Sequence, residues 1–340
     1  MAKVKTAVIG SGAMGLRHLG AVLNTPDCEF VGISDLRPEA LDKAVAKGAR
    51  ADQCFTDTAE MLKSRKPECV IVSTTAPSHA SLAHMAIDNG ARYLIVEKPF
   101  CTSLAEAKEL IAHAEKAGVK VAVNHGMRFD ANHSFIRDLA CKEELGPLCS
   151  VIVSGGNMGM AMNASHQIEQ FRLLTGQEPE TVAAWFDSTN LPNPRGREFK
   201  DASGQIRVEN ARGQRLYIDI GGNQGHGVLA TILFKYGNMV IDYLAGTVTI
   251  SHRRVEDQGQ PTGRYGLPGI REELELPRPD AEKTAAKVLS ALINDEDYPG
   301  MDVGERVLRT LVAAYVSNES DNRKIRIDDK LPEDRVFPWA

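Results

Sequence analysis

Several classes of function are excluded by what this chain lacks. No apolar run is long enough to span a bilayer as a helix. The formal net charge is −5, so there is no basic footprint for nucleic acid or for an anionic membrane surface. The six cysteines (Cys28, Cys54, Cys69, Cys101, Cys141, Cys149) form no Cys-x-x-Cys pair and no Cys/His cluster with zinc spacing. They read as small thiols of a cytoplasmic protein, with no metal site. Among the other histidines, including His18, His84, His113, His133, His226 and His252, none falls in a metal-ligand pattern. There is no Gly-x-Ser-x-Gly, no cysteine–histidine nucleophile motif, no repeat and no low-complexity tract. The first apolar run is broken by glycines and followed by Arg17 and His18, so it is expected to be a first strand rather than a signal peptide.

What is present starts at that run. Thr6–Ile9 reads as a strand and leads into Gly10-Ser11-Gly12-Ala13-Met14-Gly15. A helical pattern and a second strand follow, ending in Asp35, twenty residues after Gly15. Gly10 allows the tight turn, Gly12 lets the backbone approach a pyrophosphate, and Gly15 lets the helix pack close to the strand. The helix N-terminus offers N–H groups and a positive dipole end to phosphates. Asp35 suits a ribose diol and repels a 2′-phosphate, which favours NAD. Arg37 keeps NADP open, or is a solvated residue at the start of a helix entered through Pro38.

The first 123 residues alternate strand and helix, with strands at Thr6–Ile9, Phe30–Ser34, Cys69–Ser73, Tyr93–Val96 and Val119–Val123. That alternation predicts a doubly wound parallel sheet, with the ligand at the strand C-termini. After Asn124 the pattern changes to runs of strands with few helices between them. A helix near Ala164–Leu174 and two closing helices, Asp280–Ile293 and Val303–Val316, are predicted there. The expected division is therefore a dinucleotide-binding domain over 1–123 and an α+β domain with an open, mostly antiparallel sheet over 124–340.

Four places carry candidate chemistry. Glu97-Lys98-Pro99 follows a parallel strand, where the Lys98 ammonium could polarise a substrate oxygen; it is otherwise a surface Glu-Lys pair before a helix. Asn163, His166 and Glu169 are spaced to share one helix face, with His166 suited to proton transfer; the alternative is an Asn cap and a structural histidine. Asn124 to Arg128 follows the last strand of the first domain, so its polar groups could line an interdomain cleft. Arg128 could bind an anion there or be a solvated linker residue. Ser73, Thr74 and His79 lie past another strand end, where they could touch the cofactor, or where Ser78 could cap a helix.

These residues together resemble the glucose-fructose oxidoreductase/inositol dehydrogenase (Gfo/Idh/MocA) family over nearly the whole chain. The marks are Gly10 to Gly15, Asp35, Thr74 to His79, Glu97-Lys98-Pro99, Asn124 to Arg128 and Tyr315-Val316-Ser317. The resemblance implies a Rossmann domain plus an α/β domain whose sheet often builds a dimer or tetramer. It implies NAD(P)-dependent hydride transfer from a sugar, cyclitol or nucleotide-sugar hydroxyl carbon, with Lys98 orienting the hydroxyl and His166 taking its proton. A cis Lys98–Pro99 peptide is part of the same expectation. The chain departs from the family where many members have Asp four residues before the histidine. Here that position is Met162, Asn163 follows it, and Glu169 replaces the more usual Asp. The Asn-x-x-His reading resembles a subgroup linked to surface-polysaccharide and nucleotide-sugar chemistry. Two other readings stay open: a dinucleotide-binding regulator without turnover, and a redox-neutral glycosidase or epimerase that keeps its NAD. The segments 158–163, 190–204 and 257–269 are expected to shape the pocket.

Overall fold

The computed structural model describes residues 2–188, 192–260 and 269–339. The expected segments 190–204 and 257–269 thus fall partly outside the described residues. The chain folds as two compact units. One comprises residues 1–129, 280–308 and 332–340, the other 130–279 and 309–331.

In the first unit, strands and helices alternate in the order β1 (Val4–Ile9), α1 (Ala13–Asn24), β2 (Cys28–Ser34), α2 (Pro38–Lys47), β3 (Cys54–Phe55), α3 (Thr58–Arg65), β4 (Cys69–Val72), α4 (His79–Asp88), β5 (Tyr93–Val96), α5 (Leu104–Ala117) and β6 (Lys120–Val123). All six strands pair in parallel, in the order β3-β2-β1-β4-β5-β6. Helices lie on both faces of such a sheet, so its central strands are apolar throughout, as the wholly buried Cys69–Val72 shows. Helix α5 illustrates the local signals. The Ser103 hydroxyl accepts from the Glu106 N–H at its start, and Gly118 ends it with φ +66°.

The second unit holds α6 (Ala131–Ala140), β7 (Leu148–Gly156), α7 (Ser165–Thr175), β8 (Pro179–Phe186), β9 (Gly204–Asn210), β10 (Arg215–Gly221), β11 (Leu229–Phe234), β12 (Gly237–Asp242), β13 (Thr247–His252) and β14 (Ile270–Glu275). The chain continues through α8 (Ala281–Asn294) and α9 (Met301–Asn318) to β15 (Ile325–Arg326). The second sheet runs β14-β13-β12-β11-β7-β10-β9-β8-β15, antiparallel except for the β7/β10 pair. Val151, Val153, Leu216, Ile218, Met239 and Ile241 are buried on one face. Ile152, Tyr217 and Val240, which alternate with them, are exposed on the other.

Two features differ from the sequence reading. The division falls after Phe129, not after residue 123, and two later segments return to the first unit. The reason is burial. Val288, Leu289 and Leu292 of α8 complete the core formed by Val8, Leu19, Ile33 and Ile71, and Phe337 and Trp339 near the C-terminus are buried and stacked. Strands β3, β9 and β14 were also not expected. Two of them carry charge-rich alternation, Arg207 and Glu209 in β9 and Arg271, Glu273 and Glu275 in β14, where one face stays in water.

Candidate functional site

The parallel register aligns five strand ends: Ile9 pairs with Ser34 and Val72, Val72 with Val96, and Val96 with Val123. The residues that follow these ends are Gly10, Asp35, Ser73, Glu97 and Asn124. Backbone bonds hold the row together. The N–H of Gly10 donates to Ser34 O, that of Ser73 to Ile9 O, that of Glu97 to Val72 O and that of Asn124 to Val96 O. In an open parallel sheet this edge is where ligands bind.

Gly10 and Gly15 have the backbone geometry their spacing predicts. Gly10 has φ +95°. A Cβ on Gly15 would stand 1.9 Å from the Gly10 carbonyl oxygen, so only glycine permits this approach of helix to strand. A Cβ on Gly12 would meet nothing within 4 Å, so that position faces open space. Gly12 is the N-cap of α1 and brings no side-chain cap, which leaves the first-turn N–H groups of Ala13, Met14 and Gly15 without helical partners. The Ser11 hydroxyl donates to Ala40 O, and the Ser11 N–H donates to Asp35 Oδ2 at 2.8 Å. The N–H of Arg37 donates to Asp35 Oδ1, and its Nε lies 3.2 Å from the same oxygen. Burial alone would raise the Asp35 carboxyl, but the Ser11 and Arg37 donors outweigh it and hold the group below its usual range. Arg37 caps α2 just before Pro38 and is well exposed.

Beside the glycine loop, the Ser73 hydroxyl donates toward the carbonyls of Ile9 and Gly10 at 3.0 and 3.1 Å. Thr74 Oγ1 and Ser78 Oγ are 2.7 Å apart, and Ser78 makes no side-chain cap on α4. His79 is buried, with Nδ1 2.9 Å from Pro99 O and Nε2 3.2 Å from Thr74 O. It therefore ties the loop after β4 to the loop after β5. The Lys98–Pro99 peptide is cis.

Glu97 is 5% exposed and fully engaged. Its Oε1 accepts from Asn124 Nδ2 at 2.7 Å and lies 2.8 Å from His18 Nε2, while its Oε2 accepts from the Lys98 N–H at 3.3 Å. Burial would push this carboxyl up. The His18 and Asn124 bonds and the nearby Lys98 charge overcome that and hold it down at about 2. Sequence reasoning passed over His18, because its partner lies 79 residues away. Arg128 is buried rather than solvated, and its Nη1 reaches the Asp297 carboxylate at 3.3 and 3.4 Å.

In the second unit, Asn163 lies in a π-helical turn, Met160–Ala164, ahead of α7, and not on an α-helix with His166 and Glu169. The wider turn breaks the three-residue stacking that the sequence spacing implied. The Asn163 side-chain oxygen accepts from the Gly159 N–H at 3.3 Å. His166 is the second residue of α7, and Glu169, 1% exposed, lies 3.5 Å from Arg172. A residue the sequence reading did not name holds this turn: the buried Asp201 carboxylate accepts from the Ala161 N–H at 2.8 Å and the Met162 N–H at 2.9 Å. Met160 N donates to Ala202 O, and Ala202 N donates to the Tyr315 hydroxyl. The local clue to Asp201 is weak, an isolated acid 40 residues beyond the turn it serves. Among the described residues no group of three or more His, Cys, Asp or Glu could hold a metal, and no helix is long and apolar enough to cross a membrane.

Residues 4–125 match the family model GFO_IDH_MocA, described as an oxidoreductase family with an NAD-binding Rossmann fold. D-apiose dehydrogenase of Paraburkholderia graminis is 34% identical over 127 residues, which are 37% of this chain and 33% of that protein. Inositol 2-dehydrogenase of Salmonella paratyphi B is 23% identical over 257 residues, 67% of this chain and 74% of the relative. The matched region thus spans a third of the first relative's length and three quarters of the second's. The crystal structure of an oxidoreductase from Agrobacterium radiobacter, in complex with NAD+, L-tartaric acid and magnesium, superimposes with a TM-score of 0.76 at 16% identity. It covers 96% of this chain and 99% of that one, a likeness of fold.

Proposed function

We propose, from the match of residues 4–125 to the NAD-binding Rossmann model of the Gfo/Idh/MocA oxidoreductases, that the protein is an NAD-dependent dehydrogenase. Its substrate is a secondary alcohol, or the corresponding ketone, of a sugar, cyclitol or nucleotide-sugar. The observation that carries this reading is the row Gly10, Asp35, Ser73, Glu97 and Asn124 at five aligned strand ends, with Lys98 next in the chain. The row fits a dinucleotide: open space at Gly12, unpartnered first-turn N–H groups on α1, and an ionised carboxylate fixed at Asp35. The Asp35 charge, with Arg37 turned onto it, favours NAD over NADP. Bound there, NAD supplies the nicotinamide carbon that accepts hydride.

The chain's own groups do the rest. The Lys98 ammonium donates to the substrate hydroxyl oxygen and orients the carbon that loses hydride. His166 accepts the hydroxyl proton, since an imidazole titrates near neutrality. Asn163, Glu169 and Arg128 are assigned to the substrate's other polar groups. The D-apiose and inositol dehydrogenases among the relatives support a carbohydrate-like substrate. The exposed sheet face carrying Ile152, Tyr217 and Val240 supports a homodimer or homotetramer.

The test pairs wild type with Lys98→Met. Reduction of NAD is followed by absorbance across a panel of sugars, cyclitols and nucleotide-sugars, and NAD binding by fluorescence. Turnover is expected to fall by about 10²-fold or more in the variant while NAD affinity stays within about threefold. Equal turnover by the variant, or failure of wild type to bind NAD, overturns the reading.

A further inference from the structure

His18 is fully buried on α1, the helix whose first turn faces the dinucleotide site. A histidine is an expensive way to fill a core position that leucine would fill. Replacing buried polar partners by packed apolar groups of the same shape is often neutral or stabilising, so stability alone does not account for it. What His18 does is visible in its contacts. With Asn124 it holds one oxygen of Glu97, while the other oxygen accepts from the Lys98 backbone. The carboxylate is therefore fixed at both ends, between α1, the end of β5 and the end of β6. His18 Nδ1 and Asn124 Oδ1 make no further hydrogen bond, so Glu97 is the principal partner each has.

We infer that His18 is a positioning residue for Lys98: it locks the Glu97 carboxylate, and so couples the cofactor-binding helix to the loop that presents the Lys98 ammonium. The inference rests on the reading of Lys98 as the residue that orients the substrate. The geometric link between the two residues is the Lys98 N–H, which donates to Glu97 Oε2 at 3.3 Å.

The experiment is pulse acetylation of wild type, His18→Leu and His18→Gln with an N-hydroxysuccinimide ester, with each lysine quantified by mass spectrometry. Leucine fills the space without donating to Glu97, whereas the glutamine amide can donate. In His18→Leu the Lys98 acetylation rate is expected to change by about fivefold or more relative to the other lysines, and in His18→Gln to return within about twofold of wild type. Unchanged Lys98 reactivity in a folded His18→Leu protein overturns the inference. If His18→Leu does not fold, Glu97→Gln, which keeps the shape and removes the charge, carries the same expectation and the same power to refute it. This readout needs no substrate, so it stands even if the dehydrogenase reading fails. Where turnover is measurable, the double variant His18→Leu/Lys98→Met is expected to be no slower than Lys98→Met alone; additive losses would overturn the inference.

Discussion

The two units build their functional features from different materials. In the first, the candidate cofactor edge is built largely from backbone: glycines that let main chain approach main chain, N–H groups at a helix start, and residues placed by strand register. In the second, the turn ahead of His166 leans on a long-range side chain, Asp201, reaching back from about 40 residues on. The difference teaches where function leaves a trace in sequence. Backbone requirements restrict residue type at fixed local spacing, and that restriction is readable. A long-range side-chain anchor requires only one acid somewhere, and that is not.

The largest effect should come from the glycine whose missing Cβ is structural. Gly15→Ala places a methyl 1.9 Å from the Gly10 carbonyl oxygen, a backbone clash that only movement of α1 can relieve. The expected loss is about 5 kcal/mol or more, read as failure to fold or a collapsed Tm. Gly12→Ala meets nothing within 4 Å. It is expected to keep its Tm within about 2 °C while NAD affinity drops by about tenfold or more. If both variants merely lost stability, the distinction between a packing glycine and a ligand-facing one would fail.

The same contrast explains how much could be read in advance. The parallel sheet, the glycine loop, Asp35 and the strand-end position of Lys98 follow from short-range pattern, and the structure places them in one row. His18 escaped because a buried pair 79 residues apart has no local signature. Strand β14 escaped because Ile270–Glu275 has almost no buried residue, so its sequence reads as loop. Helix α8 was foreseen as a helix, but its amphipathic pattern does not say which core it completes, and the structure gives it to the first unit. Asn163 was placed on the wrong kind of turn because spacing arguments assume 3.6 residues per turn.

Next in size is the anchor itself. Asp201→Ala strands one buried and one half-buried N–H, at Ala161 and Met162, at about 2 kcal/mol each. A destabilisation of about 4 kcal/mol by chemical denaturation is expected, with NAD affinity retained in whatever fraction stays folded. A loss below about 1 kcal/mol would mean that the turn holds without its anchor.

Two of the buried histidines, His18 and His133, sharpen the comparison further. His18 faces a carboxylate, whereas burial, and then the charge of Arg137, push His133 down to about 4 from 6.5. His133 is therefore neutral in the folded chain and takes a proton more readily when unfolded. Its contribution is present above pH 6.5 and is lost as pH falls through 4, worth about 3 kcal/mol across that window. His133→Phe retains the ring beside Tyr243 and should flatten the acid limb of the stability curve between those pH values. An unchanged slope in the variant would show that His133 titrates normally in the fold.

The smallest effect isolates what burial adds to a single interaction. Asp57 in the first unit also accepts from two consecutive backbone N–H groups, those of Ala59 and Glu60, though both on Oδ1 where Asp201 uses both oxygens. Asp57 is exposed, however, and stands at the N-cap of α3 directly before the residues it serves. Water can replace its oxygen, so Asp57→Ala should cost about 1 kcal/mol. The ratio of the two losses, about fourfold if each N–H behind Asp201 goes unsatisfied, measures chiefly what burial adds to a carboxylate serving two backbone donors. Equal losses from Asp57→Ala and Asp201→Ala would mean that water reaches the turn ahead of His166, and that Asp201 acts there as an ordinary cap.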